Sequence, residues 1–425
     1  MVNAIQQFFT AISSNVEHDK AYWDNVRKAS AALEKASSAD LDRLYNQVSE
    51  RQPPEYGPLV FVLGAKLKKP PTDTQTFINL LGQFNVVASN VNSNELDHIH
   101  DKFSYVMGQL ASMLMDQNAA IHGIRLMQNA VKTLSRGHTG VITNLHARLF
   151  CLCLEAKRPD PAIPFLDLDA ANCFLNVHNL DKVTCENALL YFYYGGLIKF
   201  SLKDLEGAAH MFESCVCMPA LSASSIMLEA LKKLIMLNLI LGRPNQLPAY
   251  CAPPIRRLAQ IKCQKYQGIA QSYLNLTEHR NNKMTLLRFK RQMDKMSVEL
   301  AKNNNVGLAQ ELYMSAVRNN ISKLPEVFSK LQIFKVAKYC RIDADNVCIQ
   351  FELERFLQSN KIEGKIDAHE GTVSFQPVER DAELEESCLD DATDACAALD
   401  DLLRNSQRVI ELHPAILARQ QKKHH

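Results

Sequence analysis

The chain has 425 residues, more than one ordinary hydrophobic core, which implies several domains or a stacked repeat array. Hydrophobic residues make up 47% and charged residues 22%, enough apolar surface for a continuous core, so wholesale disorder is excluded. Lys and Arg number 48 against 46 Asp and Glu, a net charge of +2, and so weak a field argues against a nucleic-acid partner. The start, Met1-Val2-Asn3-Ala4-Ile5-Gln6, has no basic stretch followed by an apolar run, so export is not expected. Glycine and proline cluster between long segments whose apolar residues recur at helical spacing, and an all-α fold is predicted.

Residues 1–140 read as N-terminal helical repeats, punctuated at Pro53-Pro54, Gly57-Pro58, Pro70-Pro71 and Gly137-His138-Thr139-Gly140. Residues 141–320 read as tetratricopeptide-like repeats. Their clearest unit runs from Tyr191 through Gly195-Gly196 to Leu205-Glu206-Gly207-Ala208 and Pro219. In that repeat an aromatic opens the first helix, a glycine four residues on admits the second helix, and a small residue twelve positions further sits at the crossing; Tyr191, Gly195 and Gly207 take those places. Thr143–Asp167 and Ser222–Gly242 are expected to be further hairpins. The run Leu234 to Leu241 ends at Gly242 and is too short for a membrane span of roughly 20 residues, so it is predicted to be a buried helix.

Residues 321–376 change texture. Asp345 is a candidate N-cap for a helix carrying Val347, Phe351, Leu353, Phe356 and Leu357. Residues 360–368 and Thr372-Val373-Ser374-Phe375 then flank a His369-Glu370-Gly371 turn, predicting a β-hairpin and so a winged helix. Residues 377–418 hold a long amphipathic helix or two, with Leu399, Leu402 and Leu403 on the apolar stripe, and 419–425 form a tail with no apolar anchor.

Repeats running into such a wing, with Ile362-Glu363-Gly364-Lys365-Ile366-Asp367 closed by Gly371 to Phe375, resemble the PCI domain of multisubunit assemblies. Within it, His146-Ala147-Arg148-Leu149, Pro161 to Asp169, Tyr193-Tyr194-Gly195-Gly196, Pro219-Ala220 and Ile226-Met227-Leu228-Glu229 resemble the third-subunit family of the COP-nine signalosome. The resemblance implies a non-catalytic scaffold in the complex that removes a ubiquitin-like modifier from cullins, with catalysis in a different, metal-binding subunit. It further implies a location in cytoplasm and nucleus, other PCI subunits and the metalloprotease-containing subunits as partners, and cullin-RING ligases as indirect ones. PCI wings align edge to edge, so the strands Lys365–Ala368 and Thr372–Phe375, stiffened by Ile366, Val373 and Phe375, are expected to extend a neighbour's sheet. Leu399, Leu402 and Leu403 would seat the C-terminal helix in a bundle. A lid subunit of the proteasome or an initiation-factor subunit shares this architecture and is the alternative.

The residues offer little chemistry of their own, and no catalytic group, cofactor or metal is expected. His98-Ile99-His100 has the H-x-H of zinc isopeptidases, but Asp101, Gly108 and Ala111 stand where Pro, Ser and Asp would complete the site. Cys151 with Cys153 and Cys215 with Cys217 lack C-x-x-C spacing and fall within predicted helices, where they read as packing thiols of a reducing compartment. Gly195-Gly196 has no following Lys-Ser/Thr pair to make a phosphate loop. A winged helix also invites a DNA reading, but Glu352 and Glu354 beside Arg355 on the presumed recognition helix argue against it.

Overall fold

The computed structural model describes residues 2–13, 20–51, 55–69, 73–136, 140–168, 183–278, 286–340, 353–355, 364–367, 369–375 and 382–411. Its contacts divide the chain into two units, Met1–Ala316 and Val317–His425.

The first unit is helical: α1 (Val2–Ser13), α2 (Lys20–Leu33), α3 (Ser38–Ser49), α4 (Gly57–Leu67), α5 (Thr74–Asn90), α6 (Ser93–Asp116), α7 (Ala120–Leu134), α8 (His146–Glu155), a 3-10 turn at Asp160–Phe165, α9 (Cys185–Ser201), α10 (Leu205–Cys217), α11 (Ser225–Ile240), α12 (Pro253–Lys262), α13 (Gln264–Glu278), α14 (Leu286–Lys295), α15 (Ser297–Lys302) and α16 (Val306–Ile321), whose last turn falls in the second unit. Polar side chains start many of them. Ser37, Asp73, Thr184, Asp204 and Ser224 each accept a hydrogen bond from a main-chain N–H of the helix that follows. The ends are less expected. Asn118, Lys157, Lys203 and Asn304 take positive φ of 52° to 68°, and the N–H of the next residue reaches back to the carbonyl of Leu114, Cys153, Lys199 or Leu300. These are left-handed stops made largely without glycine, each costing roughly 1 kcal/mol of backbone strain.

Helices pack on those one or two places away in sequence, α8 on α9, α9 on α10 and α10 on α11, but α4 chiefly on α6, α5 on α7 and α13 on α11, as in a repeat array. The core helix α11 buries Leu234, Ile235, Met236, Leu237 and Leu239, as its apolar run predicts. No helix among the described residues is long and apolar enough to cross a membrane. Two expected hairpins differ. Ser222–Gly242 is a single helix, because its apolar positions surround the axis and are covered from both sides by α10 and α13. Thr143–Asp167 pairs α8 with only a 3-10 turn, since Pro161 and Pro164 forbid a longer helix.

The second unit holds β1 (Lys330–Gln332), α17 (Ile333–Cys340), β2 (Gly364–Asp367), β3 (Thr372–Phe375) and α18 (Ala382–Glu411). The sheet is antiparallel in the order β1-β3-β2, with Leu331, Val373 and Ile366 in register across it. The β2–β3 turn forms because Asp367 Oδ1 accepts from the N–H of His369 at 2.9 Å and of Glu370 at 3.2 Å, and Gly371 supplies φ +59°. The C-terminal segment is one helix of 30 residues rather than two. Asp345 and its helix, apart from Leu353, Glu354 and Arg355, lie outside the described residues, as do residues 360–363, Ala368 and the tail 419–425.

Candidate functional site

The repeat at α9 and α10 is organised around Tyr191, fully buried, whose hydroxyl donates to the carbonyl of Phe165 and accepts from the N–H of Leu168, both at 3.1 Å. His146, Phe150 and Phe192 pack against its ring at centroid distances of 5.8, 5.3 and 5.1 Å, and such pairs add about 0.5–1.5 kcal/mol each beyond area burial. His146 Nδ1 accepts from the Thr143 N–H at 2.9 Å, and burial holds its pKa down at about 4. The imidazole is a neutral packing group.

The two glycines of this hairpin differ from their expected roles. A Cβ on Gly195 would meet only Leu166 and Met211, at 3.4 Å, whereas one on Gly196 would meet the Phe212 ring at 2.8 Å. The close approach of α9 and α10 therefore belongs to Gly196. Gly207 lies at the first turn of α10, where its N–H donates to Asp204 Oδ1 at 2.9 Å and a Cβ would press on the Lys199 side chain at 2.7 Å. That lysine is fixed by Asp167 at 2.6 Å and Asp204 at 3.3 Å.

The histidine pair on α6 is engaged elsewhere. His98 stacks on Trp23, its carbonyl accepting from Arg27, while His100 Nε2 lies 3.2 Å from Asp101. Ala111 is buried in the core, where an acidic ligand would be needed. Among the described residues no group of His, Cys, Asp and Glu could hold a metal ion. Cys153 and Cys215 are buried, burial pushing the first up to about 12 and the second higher still, and Cys217 is pushed up to about 11. Thiols so disfavoured as thiolates are poor nucleophiles and poor ligands.

The wing corrects one expectation. Thr372–Phe375 is the centre of the sheet, hydrogen-bonded to β1 on one side and β2 on the other, so it has no side left for a neighbour's strand. Val373 and Phe375 are buried, and Ile366 is half-buried opposite Val373. Val373 and Phe375 stiffen the centre of the sheet, while Ile366 lies on an outer strand. The outer strands are β2 and β1, the latter not foreseen; its one signal is Leu331, buried between exposed Lys330 and Gln332. On the presumed recognition helix Leu353 is buried, and Glu352 lies outside the described residues.

Along α18, residues 392–405 are exposed on every face. Leu399, Leu402 and Leu403 stand 59%, 63% and 67% open, with Leu389 above them at 64%. Four leucines on an acidic helix form an apolar stripe without a partner among the described residues.

Comparison with known proteins matches both parts. The family model described as COP9 signalosome complex subunit 3, N-terminal helical repeats, matches residues 18–255, and that of the PCI domain matches residues 288–377. The chain is 28% identical over 331 residues to COP9 signalosome complex subunit 3 of Drosophila melanogaster, covering 75% of this chain and 72% of that one. It is 24% identical over 361 residues to the subunit of the same name from Dictyostelium discoideum, covering 84% and 79%.

Proposed function

The chain belongs to the COP9 signalosome subunit 3 family, whose model matches more than half of its length, and from that premise we propose that it is a scaffold without an active site of its own. It supports assembly of the complex that removes the ubiquitin-like modifier from cullins and so regulates cullin-RING ligases. Its partners are other PCI subunits, met through the outer strands of the wing, and the C-terminal helices of several subunits, met through Leu399, Leu402 and Leu403. The metalloprotease chemistry resides in another subunit, and the chain works in cytoplasm and nucleus.

The observation that carries this reading is the order of parts, subunit 3 repeats followed by a PCI domain. The uncovered leucine stripe of α18 supports the bundle, because an isolated globule would fold such a stripe inward. The buried His146 and the high-pKa thiols support the absence of catalysis by this chain. The test is gentle affinity purification of the tagged chain with mass spectrometry and a cullin-deneddylation assay. A stoichiometric set of PCI subunits with activity that vanishes when another subunit loses its zinc ligand is the expected result. Recovery of proteasome-lid or initiation-factor subunits, or activity that survives that loss, overturns it.

A further inference from the structure

Although the chain is nearly neutral overall, residues 253–302 carry 11 Lys and Arg against 3 Asp and Glu. The fold gathers part of that charge into one pocket of about 650 Å³, lined by Lys232 of α11, Lys262 of α12, Lys265 of α13, Lys295 of α14 and Lys302 of α15. The pocket's two acidic side chains are already answered: Glu229 pairs with Lys232 at 2.6 Å and Glu299 with Lys265. That leaves Lys262, Lys295 and Lys302, all exposed and without an ion-pair partner among the described residues, as uncompensated charge in one concavity. One further feature marks it as more than a solvated basic face. Val298, 82% exposed, stands at the same wall.

We propose that this pocket docks an acidic segment of a partner protein. Carboxylates meet Lys262, Lys295 and Lys302, and an apolar side chain of the segment covers Val298. A polypeptide offers both at once: anions and apolar groups. A nucleic-acid backbone or a free phosphate supplies the anions but leaves Val298 bare. The volume suits a short segment rather than a folded face, since ligand pockets run from about 300 to 1,000 Å³. The site lies wholly within the first unit, and it does not depend on the scaffold reading. Failure of the binding test leaves complex membership untouched.

The test uses the purified full chain and fluorescence anisotropy at low salt, with a short fluorescein-labelled peptide of alternating Glu and Leu as probe. The expected result is saturable binding that weakens as salt rises, absent for the Gln–Leu counterpart. The triple variant Lys262→Glu, Lys295→Glu, Lys302→Glu should weaken it about tenfold or more, while Lys20→Glu, Lys28→Glu, Lys35→Glu leaves it unchanged. All six lysines are exposed, and thermal melting of both variants checks that each still folds. Equal weakening by the two triple variants, retention of binding by the first, or competition by tripolyphosphate or a DNA oligonucleotide as effective as unlabelled peptide would overturn the proposal.

Discussion

Phe212 of α10 lies with its ring edge only 2.8 Å from the position a Cβ on Gly196 of α9 would occupy. The pair sets how closely the two helices approach. Gly196→Ala must push the ring or part the helices, and overpacking of this kind costs about 1–3 kcal/mol. Gly195→Ala has room, and an alanine in a helix interior is favoured over glycine by up to about 1 kcal/mol. Urea unfolding of the two variants should therefore move in opposite directions, and equal losses would assign the close approach to both glycines.

A second prediction concerns acid. The folded pKa of His146 lies near 4 against an unfolded value near 6.5, so between these values the unfolded chain binds more protons. Stability present above pH 6.5 is lost as pH falls to 4, by up to about 3 kcal/mol from this group. His146→Phe removes the titration, and the difference in melting temperature between variant and wild type should narrow or reverse across that window. A pH-independent difference would show that the group does not titrate there.

Assembly should separate from folding at α18. Because Leu399, Leu402 and Leu403 are exposed, replacing all three by Glu should change the thermal stability of the isolated chain by less than about 0.5 kcal/mol. The same variant, or truncation after Phe375, should lose occupancy in the purified complex. Full occupancy of either protein would sink the bundle role.

Thiol reactivity should follow burial. Exposed Cys185 and Cys396 are expected to be alkylated by iodoacetamide in the native chain well before Cys153 and Cys215, whose thiolates burial disfavours. Peptide mass spectrometry of timed reactions reads this directly; early modification of Cys215 would contradict its place in the core.

The helical class and the hairpin at Tyr191 were legible because aromatic and small residues recur at fixed offsets that only helix packing demands. The β2–β3 turn was legible from Asp367 and Gly371, whose backbone roles follow from residue type. The stops at Lys157 and Lys203 were not, since a lysine adopts positive φ only when tertiary packing forces it. β1 escaped notice because three residues with one buried leucine carry too little alternation to register. The lysine pocket was hidden for another reason. Its members come from five helices, and the acidic α18 cancels their charge in any whole-chain count.

The habit of helices in the first unit to rest on those one or two places away in sequence has a bearing on how the unit comes apart. Contacts so local make its free energy close to a sum over links, nearest neighbours coupled in a line. Such an object folds quickly for its length and opens piecewise. A lesion at one link, such as Gly196 against Phe212, should loosen protection of amide protons on α9 and α10 while leaving α4 and α6 nearly as slow to exchange as before.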